Sequence, residues 1–250
     1  MKTPVSIDES INLPSPVSFY GLGSCFIENF ANTPLPNTTI QTNPLGTTFN
    51  PLSIANTLAW ICKDQPLSPL IQHADTYHQL DGANTFQNIN KEALNARLTH
   101  LQKEAQHQLK NADCLIISLG TAHAWRHLST NAIVNNCHKI PGTEFKRELL
   151  DIETIKKSLH TIIQLVNLPI IWTISPVKYT KIGLTQNFLG KSTLRLALEE
   201  ILTHPNQYYF PSFEIITDEL RDYKYFKENG THPNQDAVEI VLNRFSTFIS

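Results

Sequence analysis

Three stretches of the chain are apolar without alternation: Val17 to Gly21, Asp113 to Leu119, and Leu168 to Ile174. Short unbroken runs closed by Gly, Ser or Pro predict strands of a sheet buried on both faces. Around them, apolar residues recur at helical spacing over Glu28 to Ala31, Leu52 to Cys62, Lys91 to Leu109, Ile152 to Val166, Lys191 to Leu202, and Asp236 to Ile249. Strands alternating with helices predict an α/β layer structure around a mostly parallel sheet. Ligands of such sheets bind beyond the carboxyl ends of the strands. That rule directs attention to Gly23-Ser24, Gly120-Thr121 and Ser175-Pro176.

Composition narrows the class. With 250 residues, 41% of them hydrophobic, the chain can bury a sizeable core, and neither a repeat nor a proline-rich linker divides it. One domain spanning 1–250 is the expectation. A net charge of -2 with thinly spread Lys and Arg supplies no field for nucleic acid or an anionic membrane. The segment from Met1 to Ser10, with Pro4, Asp8 and Glu9, does not read as a signal peptide, and no apolar run has the length of a membrane span. Cys25, Cys62, Cys114 and Cys137 contain no CxxC pair, so reduced thiols in a cytoplasmic protein are expected. Nothing in these patterns calls for a metal or a cofactor, and oligomeric state is left open.

The richest local pattern runs from Ser18 to Phe30, from a strand through Gly21 and Gly23 to a helix start. Ser24 then falls where free amides and the helix dipole favour a developing anion, a suitable place for a nucleophile. The same position also suits serine as a plain N-cap. Gly23-Ser24-Cys25-Phe26 followed by Ile27-Glu28-Asn29 resembles the signature of the GSCFA family, grouped with the SGNH hydrolases. Further blocks resemble the family in order: Asn43 to Ile54, Leu119-Gly120-Thr121-Ala122 with Trp125, Asn136 to Pro141, Ser175-Pro176-Val177, Tyr209 to Ile215, Asp218 to Tyr223, and His232-Pro233.

The resemblance implies a three-layer α/β/α sandwich with a mostly parallel central sheet, SGNH-hydrolase-like and flavodoxin-like. It also implies roles: Ser24 as the nucleophile that attacks an acyl carbonyl, Gly46 as an oxyanion-hole amide, and His232 as the base. A serine hydroxyl is a weak nucleophile until a base takes its proton, and the tetrahedral oxyanion needs preorganised donors. Two positions depart from the pattern. Thr121 stands where the family relation leads to an oxyanion asparagine, which makes Asn136 and His138 candidate replacement donors, although Asn136 can equally close a turn and His138 can be an ordinary polar residue. Asn229, three before His232, stands where an aspartate is expected. Its amide oxygen could accept from the imidazole, but it carries no charge to stabilise imidazolium; loss of the aspartate from a trypsin-like triad cost about 10⁴ in rate. Glu228 is an alternative orienter, and Asn229-Gly230 also reads as a turn dipeptide. The run Tyr77 to Phe86 keeps only His78 and Asp81 of a histidine-richer family stretch.

Other readings compete for the same residues. Cys25 is a rival nucleophile or a small buried residue. His123 and His127 have the spacing of helical metal ligands but lack the intervening glutamate of a metalloprotease motif. Lys139 and Arg147 could bind an anionic group or be solvated charges, and Arg221 to Tyr225 reads as structural. The expected function is a serine acyl esterase or O-acyltransferase acting on a small-molecule or carbohydrate ester through an acyl-serine intermediate; the alternative is a catalytically weak or inactive domain that binds a glycan or acylated ligand.

Overall fold

In the computed structural model of the protein, residues 3–249 are described apart from 8 and 34. Met1, Lys2 and Asp8 of the amino-terminal reading therefore lie outside the described residues, as does Ser250. The chain runs β1 (Val17–Gly23), α1 (Glu28–Asn32), β2 (Thr38–Thr42), α2 (Pro51–Lys63), β3 (Ile71–His73), β4 (Thr76–His78), β5 (Gln87–Asn88) and α3 (Lys91–Lys110). It continues through β6 (Cys114–Leu119), β7 (His123–His127), β8 (Ile133–Val134), β9 (Phe145–Leu149), α4 (Ile152–Leu165) and β10 (Ile170–Ile174). The last elements are α5 (Leu184–Ile201), β11 (Gln207–Tyr209), α6 (Ser212–Glu214) and α7 (Gln235–Phe248).

Five strands form a parallel sheet in the order β2-β1-β6-β10-β11. Side chains alternate across a strand, so each apolar run divides between two cores. Tyr20, Leu22, Leu115, Ile117, Ile170 and Trp172 pack with α2, α3, α4 and α5. Phe19, Cys114, Ile116 and Ile171 pack with Phe26, Phe30 and the α7 residues Val238, Val241 and Phe245. The result is a three-layer α/β/α sandwich. Two small antiparallel sheets, β3-β4-β5 and β8-β7-β9, are added to it. Among the described residues no helix is long and apolar enough to cross a membrane.

Several elements differ from the sequence reading. The strand β2 was not anticipated, because Thr38-Thr39-Ile40-Gln41-Thr42 is a mostly polar edge strand with intermediate and exposed positions alternating. Helix α5 begins at Leu184 instead of Lys191, since its first two turns carry half-exposed Leu184, Phe188 and Leu189 that break the amphipathic pattern. His123 and His127 lie on a strand, so the helical ligand spacing does not apply.

Reversal of strand order places the switch point between β1 and β6, whose carboxyl ends run side by side to the pair Gly23 and Ser118. There Gly23 adopts φ +130°, and a Cβ on it would stand 2.1 Å from the Ser118 carbonyl oxygen. No L side chain fits this contact or this backbone angle. Gly23→Ala is expected to lower stability by about 3 kcal/mol or more, measured by urea denaturation; a loss below about 1 kcal/mol would show that the β1 and β6 ends can part freely.

Candidate active site

Ser24 leaves β1 at this switch point. Its N–H donates to Ser118 O (2.9 Å), its hydroxyl pairs with the Ser118 hydroxyl (2.8 Å), and its oxygen also accepts from Phe26 N–H (3.3 Å). At 2% exposure it is nearly covered, yet it lines a cleft of about 640 Å³. His232 lines the same cleft, as do Thr231, Thr121, Asn136, His123 and Trp125. Ser24 and His232, separated by most of the chain, are thus brought to one cavity.

No hydrogen bond joins them among the described residues; the Ser24 hydroxyl is held by Ser118. Such contacts often form only when substrate is bound. The neighbours of His232 Nδ1 are Thr231 Oγ1 and Asn229 Nδ2, which suit opposite tautomers. Asn229 Oδ1 accepts from Thr231 N–H (2.9 Å), His232 N–H (3.2 Å) and the Thr231 hydroxyl (2.9 Å), which fixes its oxygen and nitrogen ends. When the Thr231 hydroxyl proton goes to Asn229, Thr231 Oγ1 accepts from His232 Nδ1–H at 2.8 Å; when it goes to Nδ1, the ring nitrogen accepts from Thr231. The approach of Asn229 Nδ2 to the same ring nitrogen is longer, 3.2 Å, and would need the opposite tautomer. The Nδ1–H arrangement leaves Nε2 its lone pair, the state a base requires. The expected bond from the imidazole to Asn229 Oδ1 is not made: that oxygen is taken by Thr231 and by His232 N–H, and the Nδ2 end faces the ring. Glu228 makes no contact with His232 among the described residues. Burial, and secondarily the Lys227 cation, holds the His232 pKa below its ordinary value.

The expected oxyanion donors are only partly brought together. The Gly46 amide donates to Asn43 O at 2.8 Å inside a turn, and Gly46 does not line the cleft, so this amide is not free for substrate. His138 is also displaced. It is 3% exposed outside the cleft, with Nε2 on Gly82 O (2.9 Å) and its ring edge-to-face with His78. Burial lowers the pKa of both imidazoles. Thr121 and Asn136 do reach the cleft. The Thr121 amide is spent on Phe49 O (2.9 Å), and its hydroxyl accepts from His123 N–H (3.0 Å) with His123 Nδ1 a longer 3.4 Å away. Asn136 Oδ1 accepts from His138 N–H (3.2 Å), and its Nδ2 has no partner among the described residues. The amide of Cys25, next to Ser24, donates to no carbonyl among the described residues. Donors left for an oxyanion are thus Cys25 N–H, Asn136 Nδ2 and the Thr121 hydroxyl. Cys25 itself is a poor nucleophile, because burial and then Glu28 push its thiol pKa up.

Sequence reasoning missed four residues. Ser118 sits in a buried apolar run with no motif to mark it. Asn135, not Asn136, locks the 47–49 segment by accepting from Phe49 N–H (3.1 Å) and donating to Thr47 O (2.7 Å). His123 enters the cleft on β7 because Gly190 of α5 leaves room, a Cβ there lying 3.2 Å from its Nδ1. Lys191, 2% exposed on α5, donates to Gly120 O and Ser175 O (2.7 Å for the latter), joining the carboxyl ends of β6 and β10 behind the cleft. Desolvation draws its pKa down to about 7.

A parallel sheet with a serine at its switch point and a histidine lining the same cleft defines an α/β domain of the three-layer sandwich class. The GSCFA family model matches residues 18–245, and the chain belongs to the GSCFA family. No curated protein matches it.

The depressed Lys191 pKa has a definite sign. A lysine with folded pKa near 7 and unfolded pKa near 10.4 binds fewer protons when folded between those values, so stability rises with pH there. The cost is carried in full below pH 7. The urea unfolding free energy of the wild type, relative to Lys191→Met, is expected to rise by about 1 kcal/mol per pH unit from pH 7 to 9; parallel pH profiles for the two proteins would rule out a depressed Lys191.

Proposed function

We propose that the cleft is a serine acyl-transfer site of the SGNH-hydrolase kind, working as an esterase or O-acyltransferase on a small-molecule or carbohydrate ester. The observation that carries this reading is that Ser24 and His232 line one cleft, where Thr231 Oγ1 can accept the His232 Nδ1 proton and leave Nε2 free to take another. Ser24 Oγ attacks the acyl carbon as its proton passes to His232 Nε2. The Ser118 hydroxyl, 2.8 Å away, turns its proton toward the Ser24 oxygen as negative charge grows there. Cys25 N–H, Asn136 Nδ2 and the Thr121 hydroxyl receive the oxyanion. Collapse expels the alkoxide, which takes the proton from His232, and water or an acceptor alcohol then releases the acyl-serine by the same steps in reverse. A cytoplasmic setting accords with the four free cysteines.

A weak or inactive ligand-binding site is the second reading, favoured by the neutral Thr231–Asn229 pair behind His232 in place of a carboxylate. Purified protein is expected to release p-nitrophenol from p-nitrophenyl acetate, with Ser24→Ala and His232→Ala each slower by about 10³-fold or more. Unchanged rates in both variants sink the proposal. Undetectable wild-type turnover together with a large gain in Asn229→Asp marks the weak-site reading. Because the free base has its pKa lowered, kcat/KM should stay level through neutral pH and fall only below about 6.5, the ordinary histidine value; a midpoint above 7 contradicts this environment for His232.

A further inference from the structure

The chain carries 22 acidic and 20 basic residues, yet among the described residues no carboxylate lines the cleft, while Lys178, Lys181, His123 and His232 do. The cations are concentrated on one side. Lys178 N–H donates to Thr231 O (3.0 Å), and its ammonium donates to Gly230 O (3.2 Å) while lying 3.7 Å from the Phe226 ring centroid and 4.4 Å from that of Tyr223. It is therefore fixed against the turn that carries His232. Lys181 follows in the same loop, exposed to the cleft and with no partner among the described residues. From the other flank, Lys227 N–H donates to His232 O (2.8 Å), and its charge is felt by the imidazole. The carboxylate of Glu28 lies behind Cys25, within 3.4 Å of Asn43 Nδ2, and does not line the cleft. Like charges gathered without counter-ions repel one another, and a concave site focuses their field outward on a ligand.

We infer that the cleft selects esters whose leaving alcohol carries an anionic group, a carboxylate or a phosphate, received by Lys178 and Lys181. Assignment to the alcohol half rests on the acyl-transfer reading. The group that returns a proton to the leaving oxygen must stand within hydrogen-bond reach of it, and the Lys178 ammonium is docked on the Gly230–Thr231 segment next to that group. The acyl half then faces Thr121, Asn136 and Trp125. Lysine ammoniums are point charges without the planar fork of arginine, so carboxylate and phosphate are received alike.

A set of three substrates tests this. 4-Acetoxybenzoate carries its anion on the leaving group, methyl 4-acetoxybenzoate is its neutral counterpart, and 4-nitrophenyl hemisuccinate, compared with 4-nitrophenyl acetate, carries the anion on the acyl side. After correction for alkaline hydrolysis rates, kcat/KM for 4-acetoxybenzoate should exceed that of its methyl ester by about tenfold or more at low salt. Raising ionic strength to 0.5 M should shrink this ratio through screening, and Lys181→Glu should bring it to one or below, with Lys178→Met moving it the same way. A wild-type ratio of one or less, a ratio untouched by Lys181→Glu, or a preference for hemisuccinate over acetate in place of this one overturns the inference. If no ester is turned over, the acyl-transfer reading fails by itself, and calorimetric titration with 4-hydroxybenzoate decides the subsite. Binding that weakens tenfold or more in Lys181→Glu upholds it, and absence of binding to the wild type overturns it.

Discussion

Where β1 and β6 run out together, Gly23 lies so near Ser118 that a methyl group at residue 23 would stand 2.1 Å from the Ser118 carbonyl. This approach places the Ser24 amide on Ser118 O and the Ser24 hydroxyl on Ser118 Oγ, so backbone and side chain of Ser24 are held by one residue of the neighbouring strand. The rest of the site is laced to the same point. Gly23 N–H donates to Asn43 Oδ1, Thr48 N–H donates to Gly23 O, and Phe49 O accepts from Gly120 and Thr121. Segments after β1, β2 and β6 thus meet through backbone groups whose partners are all protein atoms. Their positions are set before any ligand arrives, as preorganised electrostatic stabilisation requires.

Much of the framework was legible because burial on both faces leaves a strong trace. The runs that became β1, β6 and β10 are buried at every position but Ser18 and apolar but for Ser18, Ser118, Thr173 and the glycines, and α2, α3, α4 and α7 carry clear Asn and Asp caps at Asn50, Asn90, Asp151 and Asn234. Elements with weaker burial left weaker traces. An edge strand such as β2 buries little, and the opening of α5 is shaped by what Asn187, Gly190 and Lys191 touch inside the protein instead of by a polar outer face.

Of the residues named by chemistry, some line the cleft and some do not, and those acting through geometry left no mark in the sequence. Ser24, His232, Thr121 and Asn136 reach the cleft, all of them polar residues at strand ends or in loops. The Gly46 amide and His138 do not, because sequence cannot tell which hydrogen bonds a backbone N–H or a ring nitrogen has already made. Lys191 shows the converse. A lysine inside a helical pattern is ordinarily solvated, and only the three-dimensional meeting of Gly120 and Ser175 carbonyls gives its ammonium partners in the interior.

Asn229 and the lysines around His232 belong to one electrostatic arrangement. An aspartate at residue 229 would place a fixed anion beside Lys178 and Lys227, and their attraction to it would compete with any anion arriving in the cleft. Asparagine accepts the same three hydrogen bonds that shape the 229–232 turn without introducing that charge. What it leaves unmet is the need to stabilise imidazolium once Ser24 has given up its proton. On the proposed reading, the substrate meets that need. An anionic group on the leaving alcohol, held by Lys178 and Lys181 beside the turn, brings negative charge near His232 when the imidazolium forms. A neutral ester brings none, and it meets a base whose protonated form is disfavoured by burial and by Lys227. On that reading the absent aspartate favours charged substrates, because the imidazolium is stabilised further when the substrate carries the missing charge itself.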